Sequence, residues 1–495
     1  MVKDHALKYP SNFTKSISII QFGGGNFIRA FVDYAIQILN EQFNFNAKIT
    51  IVKPTNSISY HNFVAQNYKF HVFSEGIFNN KKIRKVKIID CIENIINPYE
   101  DFKNYLKIAE KENLKFIFSN TTELGLVFDP TDKFNMEPPN SFPAKITLLL
   151  FRRYMKFNGS FEKTLTIIPC ELIEDNAFVL RDLILKYCEL WGLDKKFKIW
   201  IKNNNFYNSL VDRIVPGFPE KKLKHYTSMT KFKDNHIVVC EPYFKWIIQA
   251  KKDFSNEFPL NFVNNLDVKF VSDISKFRNR KIRILNGLHT CLTPLCLLNN
   301  IDLVSESLKD SFIKHFVEKL LYDEILVSIE DDEYKEIKAF SLSVIERFKN
   351  PYIDHYYKSI LLNSISKFKV RVIPSIKSFL DTKSFLPPNL IFSLGCLIYY
   401  YGNHNDEIDD NKKYLLFFDQ VFKNKSENII SNLILKNDSL WGMDLTLIKN
   451  LEKFISYIIC ELKSNKVEKV YFNFIKKVKK SNNFLSVSKR RSSVD

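Results

Sequence analysis

The sequence predicts an α/β protein in two parts: a doubly wound parallel-sheet domain followed by a mostly α-helical domain. Residues 17–22 (ISIIQF) form an apolar run that enters Gly23-Gly24-Gly25 and then a helix-periodic stretch to about Leu39. Apolar runs of strand length then alternate with helix-period segments up to about residue 240, the order that builds parallel sheets. From Lys281 onward the 3.6-residue period dominates and glycine is almost absent, as suits packed helices.

A chain of 495 residues is too long for one ordinary core. The expected division is a sheet domain over 1–270, a helical domain over 271–480 and a disordered basic tail over 481–495. Hydrophobic content of 45% with 14% aromatics indicates a folded chain, the opposite of a disordered composition. No apolar run reaches membrane-spanning length, and the start MVKDHALKYPSNF lacks a basic segment followed by an apolar one. No membrane partner and a cytoplasmic location are therefore expected. Eight cysteines lie scattered in mostly apolar settings without a CxxC pair, which reads as reduced, buried thiols and no metal. Cys291 and Cys296 stand close to His289 but lack the closer pairing typical of zinc ligands.

The formal charge of +18 raises the question of nucleic acid. The lysines, however, are spread along the whole chain among many Asn, Ile, Phe and Tyr, with only 12 Gly, a general bias and not a patch. No nucleic-acid partner is expected. Part of the charge suits an anionic cofactor and an anionic substrate.

The glycine run after the first strand reads either as the entry of a Rossmann-like domain or as a mere tight turn. Glycines let the backbone approach a pyrophosphate, and the helix start offers free N–H groups and a positive dipole end. The standard GxGxxG pattern fails, because Ile28 holds the third position. The second strand, Ala47–Val52, ends at Lys53, where an acidic residue would hold a ribose hydroxyl of NAD. Lys53 is open to two readings, an exposed strand-end charge or a departure bearing on cofactor choice.

Further strands are expected at Tyr68–Ser74 and Lys82–Cys91, around a turn at Asn79-Asn80, then a helix over 100–112 and a buried strand over 114–118. That strand runs into Ser119-Asn120-Thr121, where small polar residues meet ligands in doubly wound sheets; Glu123 would sit in a helix's first turn. A helix over 143–156 and a strand at Leu165–Pro169 lead to Glu171, either an organiser of nearby polar groups or a solvated loop acid. Asp212 and Arg213 read as a structural charge pair. A linker is placed over 262–275, and helices over 281–299, 304–322, 331–347, 352–365, 372–381, 387–402, 412–423, 426–435 and 445–464.

Lys281, Asn286 and His289 carry side chains suited to alcohol–ketone chemistry, while their spacing alone reads more readily as an amphipathic helix with a basic edge. An amine can carry a proton, an amide can hold a developing oxyanion and an imidazole can fix a hydroxyl. On an α-helix Asn286 lies about 140° from Lys281, and His289 about 80° from it. A shared face therefore needs help from the turn at Gly287.

Lys281-x4-Asn286-x2-His289 resembles the catalytic signature of the long-chain mannitol dehydrogenase family, and RKIRILNGLHT resembles its hexuronate branch. Gly23-x-Gly25-x-Phe27-x-Arg29-Ala30, SNTTELG, the segment NSLVDRIVP at Asn208, EPYFKWII and the stretches 347–351 and 363–374 are also similar, from about residue 18 to about residue 375. The resemblance implies NAD(H) as cofactor, NADP(H) being less favoured, with Gly23, Gly25, Asn26, Phe27, Arg29, Asn120 and Thr121 as cofactor-binding residues. It implies hydride transfer between tagaturonate and altronate in hexuronate catabolism, with Lys281 as general acid and base. Asn286 and Asn208 would hold the oxyanion, and His289 would orient a neighbouring oxygen. No metal is implied, since the lysine does what zinc does in other alcohol dehydrogenases.

A free lysine is a poor base at neutral pH, so the role calls for burial or for basic neighbours such as Arg280 and Arg283. The sugar-acid carboxylate suits Arg371 with Lys367, which are i,i+4, although a solvated basic face reads equally well. His355 is open between a substrate contact and aromatic packing. Fructuronate reduction, polyol oxidation and a silent nucleotide-binding role stay open, and oligomeric state is not legible.

Overall fold

The computed structural model describes residues 15–56, 61–121, 125–330 and 333–491. The chain divides into two compact units, Met1–Ser275 and Lys276–Asp495. The first unit contains β1 (Ile17–Phe22), β2 (Ala47–Val52), β3 (Phe70–Phe78), β4 (Lys81–Ile89), β5 (Ile92–Ile96) and β6 (Leu114–Ser119). It continues with β7 (Thr166–Pro169), β8 (Asn205–Phe206), β9 (Ser209–Asp212), β10 (Val238–Cys240), β11 (Lys245–Gln249) and β12 (Asp267–Val271).

Six of these strands form a parallel sheet in the order β5-β2-β1-β6-β7-β8. From β1 the chain builds outward through β2 to β5, then crosses to β6 on the other side of β1. That reversal sets the carboxyl ends of β1 and β6 side by side, the switch point where doubly wound sheets bind ligands. Ile19, Ile49, Ile51, Phe116 and Phe118 pack on one face of the sheet. Ile20, Phe22, Val52, Leu114 and Ile117 pack on the other. Both faces are covered, so the strands read as continuous apolar runs without alternation.

The two strands expected around Asn79-Asn80 are present, and one expectation over this unit, the linker, needs correction. The hairpin of β3 and β4, turning through Asn79 and Asn80 at φ 52° and 59°, does not join the parallel sheet. It pairs with β10 in a separate three-stranded sheet, and β5 takes the edge beside β2 instead. The pattern of side chains marks a strand but not its partner. The expected linker over 262–275 contains β12, which pairs in parallel with β11, while β9 pairs antiparallel on the other side of β11.

The second unit is helical among its described residues. Every residue from Gly287 to Leu297 in the helix Gly287–Leu298 is buried, and the helix Pro388–Asn403 is buried nearly all round. Helices apolar on all sides are central ones. A Cβ on Gly395 would fall 2.7 Å from the Ile458 side chain, so this glycine sets how closely Pro388–Asn403 approaches Leu451–Leu462.

The expected helix over 352–365 is absent as a unit. Tyr356 forms a β-bridge with Leu303, and short helices follow at Tyr357–Leu361 and, after Asn363 in the left-handed region, at Ser364–Arg371. The final helix, Val467–Arg491, runs through the stretch read as a basic tail. Glu123, the first residues of the helix expected from 331, the chain start and the last four residues lie outside the described residues. Seven cysteines are buried and Cys460 is exposed. No described helix is long and apolar enough to cross a membrane.

Candidate active site

The glycine turn leaves β1 at the switch point. Gly23 has φ +103°, and a Cβ there would stand 2.8 Å from the Asn120 carbonyl oxygen. The Asn120 amide in turn donates to the Phe22 carbonyl at 3.0 Å, so the two strand ends touch through backbone alone. Gly25 differs. It is exposed in extended backbone at φ −66°, and a Cβ on it would meet nothing within 4 Å. Open space thus lies at the start of a helix running from Asn26 to Phe43, with a π turn at Arg29–Asp33. A close backbone approach, open space and a helix start are the features a dinucleotide phosphate requires.

The other residues expected around the cofactor build the walls of this turn. Arg29 is buried, with Nε on the Gly24 carbonyl at 3.0 Å and Nη2 on Asn26 Oδ1 at 2.6 Å. Its third contact is the His236 carbonyl, and its guanidinium lies 5.1 Å from the Phe70 ring centroid. Phe27 stacks on Phe31 at 5.1 Å. Asn120 donates from Nδ2 to the Cys170 carbonyl, and Thr121 donates from both N and Oγ1 to Glu171. Glu171 also accepts from Ser119 Oγ, and burial raises its pKa. It is therefore no solvated loop acid: it ties the ends of β6 and β7 together. Lys53 is buried too, which removes its reading as an exposed strand-end charge.

Arg213 supports the same turn from beneath. It donates to the Ala30 carbonyl within the π turn at 2.6 Å, to the Glu241 carbonyl at 3.0 Å and to Ser74 Oγ. A π turn shifts hydrogen bonding to i→i+5 and leaves carbonyls seeking partners, and Arg213 supplies one.

Asn208 is fully buried at the start of β9. Its Oδ1 accepts from the amides of Ala177 and Phe178, at the start of the helix Asn176–Leu190. Its Nδ2 donates to Asp175 Oδ1 at 3.2 Å and Gln249 Oε1 at 3.0 Å. Both amide hydrogens are thus engaged, and a donor role toward a ligand requires releasing one of these two carboxyl or amide oxygens.

In the second unit, Lys281–Asn286 is a π-helix that leads into the helix Gly287–Leu298, and the Gly287 amide reaches back five residues to the Ile282 carbonyl. Residues five apart come round together in such a turn, which moves Asn286 toward Lys281 and away from the separation an α-helix would impose. Lys281 is buried. Arg280 is not a free cationic neighbour to it, because Glu333 and Glu336 both pair with its guanidinium. Arg283 is buried as well and donates to Ser375 Oγ and to the carbonyl and hydroxyl of Ser328. The two arginines thus hold this stretch against neighbouring elements.

His289 is buried, with Nδ1 at 3.0 Å from the Leu285 carbonyl. A carbonyl only accepts, so Nδ1 carries the hydrogen and Nε2 of the neutral ring is an acceptor. Burial first, then His355, Arg347 and, least, Arg371 push its pKa well below the usual value and keep the ring neutral. Nε2 has no hydrogen-bond partner. Lys367 and Arg371 both lie in the helix Ser364–Arg371 and are half-buried, not on a solvated face. Lys367 Nζ donates to the Ile360 carbonyl at 2.8 Å, and Arg371 Nη1 lies 3.3 Å from Thr290 Oγ1. Arg347, to which the sequence pattern assigns no role, is the missed member: it is buried and its charge bears on both His289 and His355. No local spacing links it to His289. Among the described residues no group of three or more His, Cys, Asp and Glu is placed to hold a metal ion.

A doubly wound sheet with a glycine turn at its switch point, joined to a helical unit that carries a buried lysine and histidine and a half-buried asparagine in one helical stretch, has the parts of a dinucleotide-dependent oxidoreductase. Residues 17–261 match the mannitol dehydrogenase Rossmann domain and residues 273–462 the mannitol dehydrogenase C-terminal domain. The chain belongs to the mannitol dehydrogenase family and is an oxidoreductase of that family.

It is 38% identical over 453 residues to the altronate oxidoreductase of Bacillus subtilis (strain 168), covering 91% of this chain and 92% of that protein. The altronate oxidoreductase of Bacteroides thetaiotaomicron is 35% identical over 440 residues, covering 88% and 91%. The fold is shared with mannitol 2-dehydrogenase of Pseudomonas fluorescens, solved as a ternary complex with NAD and D-mannitol: the TM-score is 0.73 at 19% identity, covering 94% of this chain and 96% of that one.

Proposed function

We propose that this chain interconverts tagaturonate and altronate with NAD(H), as a cytoplasmic enzyme of hexuronate catabolism. The observation that carries the reading is the stretch Lys281–His289. There a buried lysine, an asparagine brought round by a π turn and a neutral histidine with an unpartnered acceptor nitrogen follow one another on a central helix. Extended similarity to altronate oxidoreductases supports the choice of substrate.

Bound at the glycine turn, the reduced nicotinamide cofactor would supply a hydride to the ketone carbon of the substrate. Lys281 donates the proton to the carbonyl oxygen as the C–O bond becomes single, and in oxidation it takes that proton back. Asn286 donates its amide to the same oxygen while negative charge develops there. Asn208 is the further candidate for an amide donor, a role that requires Nδ2 to exchange Asp175 or Gln249 for the ligand. His289 Nε2 accepts the hydrogen of a neighbouring substrate hydroxyl and so orients it. Arg371 and Lys367 hold the carboxylate, with Arg371 offering the planar fork that matches it.

Two expected results follow from this assignment. Arg371→Ala should raise KM for tagaturonate by about tenfold to a hundredfold, the range for losing a charge-assisted bond. The NADH dissociation constant should stay unchanged, and steady-state kinetics beside a fluorescence titration checks both; equal KM values would remove Arg371 from the carboxylate site. At the glycine turn, Gly25→Ala has room for its methyl group and should leave the unfolding midpoint unchanged while weakening NADH binding about tenfold. Gly23→Ala meets the Asn120 backbone at positive φ and should lower stability by about 1–3 kcal/mol as well. Identical behaviour of the two variants would contradict the placement of the cofactor.

A further inference from the structure

The ring of His355 lies 5.1 Å from that of His289, at 61° and edge-on. His355 Nδ1 and His289 Nε2 are both out of solvent, and neither has a hydrogen-bond partner. Buried polar atoms are normally matched, so two unmatched nitrogens on adjoining rings call for an explanation. Aromatic packing alone does not give one, since a phenylalanine would pack without the mismatch. Phe348, at 4.3 Å from the His289 ring, already does so on that side.

The electrostatic setting is equally specific. The charges of Arg347 and Lys367 bear on His355, and those of Arg347 and Arg371 on His289. Burial and these cations lower the His355 pKa to about 4, so both rings are neutral at physiological pH. Neutral imidazoles bind hydroxyl groups, and guanidinium or ammonium groups bind carboxylates. Two of the first kind beside cations of the second suit one compact ligand bearing neighbouring hydroxyls and an acid group.

The backbone holds His355 in place for this. Its carbonyl accepts from the Val304 amide at 3.0 Å, and its own amide donates to the Ile353 carbonyl at 3.0 Å. The adjoining bridge of Tyr356 with Leu303 breaks the helix expected over these residues. An uninterrupted helix there would not have these contacts.

We propose that His355 is a second substrate-contacting imidazole, which with His289 holds neighbouring hydroxyls of a polyhydroxy acid. The proposal rests on the reading of the Lys281–His289 stretch as the catalytic one. His289 Nε2 accepts from one hydroxyl, and His355 Nδ1 pairs with the next. His355 thereby sets which arrangement of hydroxyls is accepted, and the carboxylate is left to Arg371 and Lys367.

The test compares the full-length wild type with His355→Phe, His355→Asn and His355→Gln, using tagaturonate, fructuronate and fructose as ketones. The compound that the wild type turns over fastest is the one on which the variants are read. His355→Phe should raise its KM at least about tenfold, with the NADH dissociation constant and unfolding midpoint unchanged. His355→Asn places an amide atom where Nδ1 stands and should return KM to within about threefold of wild type. His355→Gln moves that atom outward and should not. Equal KM in wild type and His355→Phe overturns the proposal, as does an equal rise in Phe and Asn variants, which marks a packing role. If the Phe variant does not fold, the contrast between Asn and Gln decides in the same way. Wild-type turnover of fructuronate but not tagaturonate overturns the proposed substrate alone, while turnover of fructose alone, which has no acid group, or of no ketone overturns both.

Discussion

Lys281→Ala should lower the rate of ketone reduction by about a hundredfold to ten-thousandfold, the range associated with a positioned general acid. The groups set beside Lys281 do not replace it: Asn286 donates a hydrogen bond without transferring its proton, and His289 meets a hydroxyl with an unprotonated nitrogen. Truncation leaves the glycine turn untouched, so NADH binding should be unchanged. Single-turnover measurement at saturating NADH and ketone separates the step from binding. Losing the lysine should lower kcat and kcat/KM together, as expected for an interaction made in the transition state. A variant with a rate near wild type would remove Lys281 from the mechanism.

The second large effect concerns stability and pH. Asp33, in the π turn that follows the glycine loop, is fully buried, and among the described residues neither carboxyl oxygen meets a well-formed hydrogen bond. Burial raises its pKa from 3.8 to about 7, and Arg29 and Gln21 offset only part of that rise. Between those values the folded chain holds the proton that the unfolded chain releases, so stability falls as pH rises through the window. Roughly 3 units correspond to about 4 kcal/mol, fully present below the unfolded pKa and lost above about pH 7. Asp33→Asn keeps the shape and removes the titration. The wild type should lose stability to urea between pH 5 and pH 8, and the variant should lose about 2.5 kcal/mol less across the same interval, the part of the window that this interval covers. Parallel pH profiles for the two proteins would show that Asp33 is ionised in the fold.

Much of the fold is legible in the sequence because burial writes itself into it. The run ISIIQF and the apolar stretch ending at Ser119 are unbroken, since each lies in a sheet covered on both faces. Their ends carry the glycines and small polar residues of the switch point, which is why Gly23, Gly25, Asn120 and Thr121 could be placed together. What is not legible depends on partners distant in the chain. β3 and β4 are marked as strands by their residues and the turn between them, but their sheet is decided by β10, more than a hundred residues on. Arg280 looks like a cation beside Lys281 until Glu333 and Glu336 close on it.

Local geometry hides other features. The 100° rule separates Lys281 from Asn286, and nothing in the residues from Lys281 to Asn286 announces the π turn that reunites them. The helix expected over 352–365 has the right period, but a bridge to Leu303 overrides it and leaves His355 beside His289. For Glu171 and Lys53 a solvated charge is one of two readings in sequence, and packing decides between them, since both are buried.

The central claim is a lysine-dependent hexuronate reductase, and the most direct measurement is NADH oxidation by the purified chain with tagaturonate, beside fructuronate, fructose and NADPH. The account predicts rapid oxidation of NADH with tagaturonate, with kcat/KM at least about tenfold above the other ketones and above NADPH. A preference for fructose or fructuronate would contradict the substrate, and no oxidation of either cofactor with any ketone would contradict the claim itself.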